Sequence, residues 1–130
     1  MHSPLMYKLY VFIFSVFTAS VIHANVNETV TPQLTQAEYN AQIQAYTEQI
    51  NSTKAILDDP ASTATGQQLT QAFCLRLNAY RQILEISQQN SALEMANLMQ
   101  VASQHYLLQQ QQSMQSSGLN ESAFCSSPTK

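Results

Sequence analysis

Residues 83–99 read ILEISQQNSALEMANLM, and the fold turns on whether the chain reverses in the middle of them. Before the polar stretch Gln88–Ser91, the residues Leu69, Phe73, Leu77, Tyr80 and Leu84 fall on one helical face, with Ile83 and Ile86 beside it. After it, Met95, Leu98, Ala102, Tyr106 and Gln109 continue a face. Steps of three and four residues of this kind specify an amphipathic helix on each side. Ser91 with Glu94 has the spacing of a capping box, in which a serine hydroxyl and a carboxylate each satisfy a free N–H of a helix start. Two readings follow: a turn near Asn90 that starts a new helix, or one helix from about 67 to 115.

The two cysteines bear on the choice. Cys74 and Cys125 are the whole complement, and an even count in an oxidising compartment points to a bridge. On one straight helix, Cys74 lies about 60 Å from Gln115 at 1.5 Å per residue. The ten residues onward to Cys125 span at most about 35 Å, so an internal bridge and the long helix exclude each other. A hairpin lets the second helix pass Cys74 near Tyr106, and Gly118 can end it as a left-handed cap. The hairpin therefore goes with an intramolecular disulfide, and the long helix with a disulfide-linked dimer or free thiols.

Upstream, Thr35 and Glu38 form another capping-box pair, followed by Tyr39, Ile43, Tyr46, Ile50, Thr53 and Leu57 at alternating steps of four and three. This predicts a helix over 36–57, stopped by Asp58-Asp59-Pro60. The Ser/Thr/Ala run up to Gly66 reads as a loop. The expected class is all-α: a small antiparallel three-helix bundle with helices at about 36–57, 67–89 and 92–116 and one Cys74–Cys125 disulfide. The helical domain covers 35–125, after a flexible segment over 25–34 and before a tail over 126–130.

Residues 1–24 differ from the rest. Lys8 precedes an apolar run of about 14 residues, Leu9 to Ile22, and Ile22 and Ala24 occupy the −3 and −1 positions of a cleavage site. This predicts a secretory signal peptide; a spanning helix needs about 20 apolar residues. An uncleaved anchor carrying an external domain is the competing form. No cysteine near the cleavage point offers a lipid attachment site. The expected location is the periplasm or the extracellular space, with no stable membrane insertion after processing. That export is what makes the bridge, and with it the hairpin, the expected arrangement.

Beyond the signal, Lys54, Arg76, Arg81 and Lys130 stand against eight acidic residues, a net charge of −4. Only Arg76 and Arg81 lie near each other, so the clustered cations needed to neutralise phosphates are missing and nucleic-acid binding is excluded. Charged residues are 10% of the chain against a usual quarter, and Gln and Asn take their place. A partner would then be recognised by amide hydrogen bonds and apolar anchors, with little electrostatic steering.

Enzyme chemistry has little to stand on. His105 is the one histidine after residue 24, the two glycines (Gly66 and Gly118) make no phosphate-cradling loop, and Asp58-Asp59 reads as a helix stop. Met95 and Met99 lie one turn apart, and this spacing reads as core filler more readily than as a soft-metal site. No catalytic residue, metal site or cofactor is expected. Four tyrosines (Tyr39, Tyr46, Tyr80 and Tyr106) lie on or beside the apolar faces, and Tyr39 and Tyr46 are candidate partner-binding anchors.

Leu34-Thr35-Gln36-Ala37 recurs as Leu69-Thr70-Gln71-Ala72. As a helix start, this Leu-Thr-x-x pattern resembles the LTxxQ motif of the periplasmic Spy and CpxP stress chaperones. Glu38 and Phe73 stand where that motif has glutamine, the surface is not basic, and the disulfide is additional. The resemblance implies a chaperone for unfolded envelope proteins. The residues themselves point to a non-catalytic module that binds another protein of the envelope or extracellular space: an inhibitor, an immunity-type protein or an adaptor. A helical structural component is the third expectation.

Overall fold

The computed structural model describes residues 33–126. The expected signal peptide, all but the last two residues of the 25–34 segment, and most of the tail lie outside the described residues. Five helices form: α1 (Gln36–Ser52), α2 (Lys54–Leu57), α3 (Gly66–Gln89), α4 (Ala96–Ser116) and α5 (Glu121–Cys125). No strand occurs among the described residues.

Each boundary has a local cause. At the start of α1 the Thr35 hydroxyl accepts the Glu38 N–H, and the Glu38 carboxylate accepts the Thr35 N–H at 2.8 Å. Hydrogen bonds from Thr35 hold the Glu38 carboxyl below its ordinary pKa. The expected helix 36–57 is broken at Thr53, whose N–H and hydroxyl both turn back to the Ile50 carbonyl, leaving a single further turn as α2. Helix α3 starts at Gly66, where Thr65 and Gln68 form a capping box. The second Leu-Thr, Leu69-Thr70, therefore lies inside α3 and starts no helix.

The chain does turn after α3. Asn90 is buried; its Oδ1 accepts the Leu34 N–H at 2.8 Å and its Nδ2 donates to the Ile86 carbonyl at 2.7 Å. The continuous 67–115 helix does not form. Helix α4 begins at Ala96, about one turn after the expected 92, and its cap is Met95 with no side-chain hydrogen bond. Ser91 and Glu94 thus make no capping box. The backbone of Glu94 is engaged elsewhere: its N–H donates to Gln36 Oε1 at 2.8 Å and its carbonyl accepts from Gln36 Nε2 at 3.4 Å. This amide clamp ties α1 to the turn, and the turn closes with Met95 in the left-handed region at φ +66°.

Helix α3 is the centre; α1, α2, α4 and α5 all pack on it. The pairings Tyr39–Ser87 and Tyr46–Gln82, together with Arg76–Thr53 just past the end of α1, set α1 antiparallel to α3. The Tyr80–Tyr106 stack, with ring centres 3.9 Å apart, together with the packing of Ala96 on Ile86 nearer the turn, sets α4 antiparallel to α3. Two apolar clusters follow: Tyr39, Ile86 and Ala96 near the turn, and Ile50, Ala79 and Ile83 further along.

The core side of α4 departs from the expected seam. Ala96, Ser103 and Met114 are buried, with Met99, Tyr106 and Leu107 half-buried, whereas Met95, Leu98, Ala102 and Gln109 are exposed. Small residues on both partners explain the rotation. Ala96 and Ser103 on α4, and Ala79 and Ser87 on α3, are at most 1% exposed, and small side chains let helices approach closely. At its other end α4 stops in a Schellman motif. Leu119 N–H donates to the Met114 carbonyl and Gly118 N–H to Gln115, with Gly118 at φ +71°. Helix α5, capped by Asn120, then brings Cys125 to Cys74 of α3, and the two form a disulfide with Cα atoms 5.5 Å apart. The bridge lies within one chain, which removes the covalent dimer.

Candidate functional site

Helices α1 and α4 both lie on α3, the Gln36–Glu94 clamp ties α1 to the turn that precedes α4, and a groove opens between α1 and the Met95–Met99 start of α4. Its volume is about 400 Å³, and its walls come from Ile43 and Thr47 of α1 and from Met95 and Met99. Tyr39 closes the bottom, and Asn40, Gln44 and Glu48 form the rim along α1. The rim is bridged within itself, since Gln44 Nε2 donates to Glu48 Oε1 at 3.0 Å.

The local causes are those that set the helices. Ile43 faces inward because it lies one turn after Tyr39, the residue that anchors α1 on α3. Met99 packs on the Ile50–Ala79–Ile83 cluster and presents its other side to the groove. Met95 is held in its left-handed conformation at the rim and is half-exposed. A flexible thioether fits differently shaped apolar partners, so two methionines opposite an isoleucine make an adaptable apolar slot. Its lining contains one formal charge, Glu48. Such a slot takes one or two apolar side chains and offers amide and hydroxyl groups at its edge for hydrogen bonds.

The candidate anchors are placed differently from one another. Tyr39 is 1% exposed and its hydroxyl shares a 2.8 Å hydrogen bond with Ser87, so it is a core residue and supplies only the groove floor. This corrects its expected role: a tyrosine whose ring and hydroxyl are both satisfied inside has nothing left to offer a partner. Tyr46 is half-buried, and its hydroxyl reaches Gln82 Oε1 at 3.4 Å, away from the groove lining. Tyr80 and Tyr106 are taken up in their mutual stack.

A polar network that spacing did not reveal ties α2 to α3. The buried Arg76 side chain donates from Nε to Thr53 Oγ1 at 2.7 Å and, through both terminal nitrogens, to the two Asp58 oxygens at 2.8 and 2.9 Å. A fork of this kind is the strong form of a carboxylate pair. Those hydrogen bonds hold the Asp58 carboxyl below its ordinary pKa and raise that of Arg76. Burial lifts the Tyr106 phenol above its usual value, against the pull of the neighbouring Arg76 guanidinium. The fork closes the end of α2 onto α3. Arg76 and Asp58 are 18 positions apart, and no local pattern links them.

Among the described residues no group of three or more His, Cys, Asp or Glu side chains is arranged to hold a metal ion. His105 is exposed on α4. No helix among them is long and apolar enough to cross a membrane. Comparison of the chain with protein-family models, curated proteins and solved structures found no match.

Proposed function

We propose that this chain is exported, loses residues 1–24, and acts as a non-catalytic protein-binding module, a disulfide-closed three-helix bundle. It works in the periplasm or extracellular space on one dedicated partner, as an inhibitor, an immunity-type protein or an adaptor. The observation that carries this reading is the small apolar groove between α1 and α4, with Met95 and Met99 opposite Ile43 under a polar rim. Its size suits one or two anchoring side chains of a folded partner better than a long unfolded segment. The Gln36–Glu94 clamp fixes α1 against the turn that leads into α4, and a preorganised surface loses less entropy on binding. The disulfide and the apolar run Leu9–Ile22 both suit an oxidising compartment.

A second reading, an envelope chaperone, draws on the same opening, because an exposed apolar concavity lined by methionines also suits transient clients. Capture of the tagged protein from its export compartment separates the two. A single partner in fixed ratio, lost with Met99→Lys while the helical circular dichroism is unchanged, supports the dedicated binder. Many unrelated clients whose number rises under stress would replace it with the chaperone reading. Capture that is unaltered by Met99→Lys would remove the groove from either role.

A further inference from the structure

Between α2 and α3 the chain reads Asp58-Asp59-Pro60-Ala61-Ser62-Thr63-Ala64-Thr65, and none of these residues is buried or lines the groove. Both ends of the segment are tied down. Asp58 takes the Arg76 fork, and Thr65 forms the capping box of α3 with Gln68. Next to the first anchor, the Ala61 N–H donates to Asp59 Oδ1 at 2.8 Å and the Ser62 N–H to the Asp59 carbonyl at 3.0 Å. A closed turn therefore covers Asp59–Ser62. Beyond it the backbone enters neither helix nor turn until Gly66, and Thr65 is extended at φ −69° and ψ 161°.

Most hydroxyls elsewhere are engaged: Thr47, Ser103 and Ser116 donate to carbonyls of their own helices, and Tyr39 and Ser87 satisfy each other. Within the segment, Ser62 is half-buried and its hydroxyl accepts the Ala64 N–H at 3.3 Å. The Thr65 hydroxyl accepts the Gln68 N–H at 3.2 Å, so a substituent there would unseat the start of α3. Thr63 differs from both. Outside the helices, it carries the exposed hydroxyl that makes no internal hydrogen bond among the described residues.

We infer that Thr63 is an O-glycosylation site, modified in the compartment to which the chain is exported. Proline followed by closely spaced serine and threonine is the composition of O-glycosylated segments. A transferase must hold its acceptor as extended chain, with room beside the hydroxyl for a sugar and its diphosphate leaving group. Ala61, Ala64 and Gly66 leave that room, and the two anchors hold the segment clear of the core. The sugar arrives activated as a diphosphate ester. A bond forms between Thr63 Oγ1 and the anomeric carbon, the bond from that carbon to the diphosphate oxygen breaks, and the diphosphate leaves with the electron pair. The hydroxyl proton passes to a base of the transferase. An exposed loop of small and polar residues is a preferred point of proteolytic nicking, and a bulky hydrated saccharide shields it. The loop lies about 35 Å along α3 from the turn that holds Met95, so the groove stays open at that end. The inference rests on the proposed export and is independent of the proposed partner.

The test is mass spectrometry of the full chain, produced in its own organism and recovered from the compartment to which it is exported. Trypsin cuts after Lys54 and Arg76, so the loop lies in one peptide, 55–76. Wild type should exceed the mass of its polypeptide by one or more saccharide units, and fragmentation that keeps side-chain adducts should place them on Thr63. Thr63→Ala should lose the whole increment and Thr63→Ser should keep it, both with an unchanged helical signal. A wild type that lacks residues 1–24 and has only its polypeptide mass would overturn the site and leave export standing. A chain that keeps residues 1–24 and carries no saccharide would overturn both. The same increment on Thr63→Ala would overturn the assignment to this residue.

Discussion

Replacing Cys74 and Cys125 together by serine opens a loop whose ends are 51 residues apart. In the chain-entropy account, a closure of that length removes about 14 cal/mol/K from the unfolded chain, or about 4 kcal/mol at 25 °C. The native side loses much less. Helix α5 is still held by the Phe73–Phe124 edge contact, with ring centres 5.8 Å apart, and by the Arg81–Glu121 pair. An aromatic pair of this geometry contributes about 0.5–1.5 kcal/mol beyond its buried area, and an exposed ion pair at most about 1 kcal/mol. Most of the 4 kcal/mol should therefore appear as a freer denatured state. Urea unfolding followed by far-ultraviolet circular dichroism measures both parts. The double variant should lose about 3–4 kcal/mol, and its urea dependence should steepen because the unlinked chain exposes more surface. For a domain near 100 residues this corresponds to a fall in melting temperature of roughly 15–30 °C. A loss under about 1 kcal/mol with an unchanged slope would refute the reasoning, since the bridge would then constrain neither state.

Two further predictions follow from buried polar contacts and from ionisation. Tyr39→Phe and Ser87→Ala should each cost about 1–3 kcal/mol by stranding the other hydroxyl, and the double variant should cost less than their sum. Additive losses in that cycle would mean the pair is not coupled in the core. The Asp58 and Glu38 carboxyls sit below their ordinary values in the fold, so their stabilisation is complete above the unfolded carboxyl range and is lost as pH falls through the folded values. Tyr106 is raised, so its contribution is present below about pH 10 and is lost as pH rises through its folded value. Thermal melts should therefore fall off below about pH 4 and above about pH 10, with Asp58→Asn flattening the acid limb. An acid limb that is identical in Asp58→Asn would remove the Arg76 fork from the account.

Legibility in the sequence followed the range of the interaction. The start of α1 was readable because Thr35 and Glu38 are three residues apart and act through their own backbone. The start of α3 carries the same local signal in Thr65 and Gln68, next to the expected start at about 67. For α4, three- and four-residue steps pick out Met95, Leu98, Ala102, Tyr106 and Gln109, whereas close packing on α3 selects the face with Ala96, Ser103 and Met114. The late start of α4 depends on Gln36 reaching Glu94 across 58 positions, which no spacing rule carries. The hydroxyl of Tyr39 is satisfied inside by Ser87, 48 positions away. The disulfide was legible by count, and it required the turn. The groove was not legible, because it arises from how α1 and α4 diverge on α3.

Placing a photo-reactive residue at position 44 tests the groove most directly. Gln44 is exposed on its rim, and Gln67, exposed at the start of α3 and absent from the groove lining, serves as the control. Cross-linking in cells that export the protein should give one discrete adduct to a second protein from position 44, and none from 67. No adduct from 44, or the same adducts from both positions, would contradict the central claim that this chain binds a partner through the groove between α1 and α4.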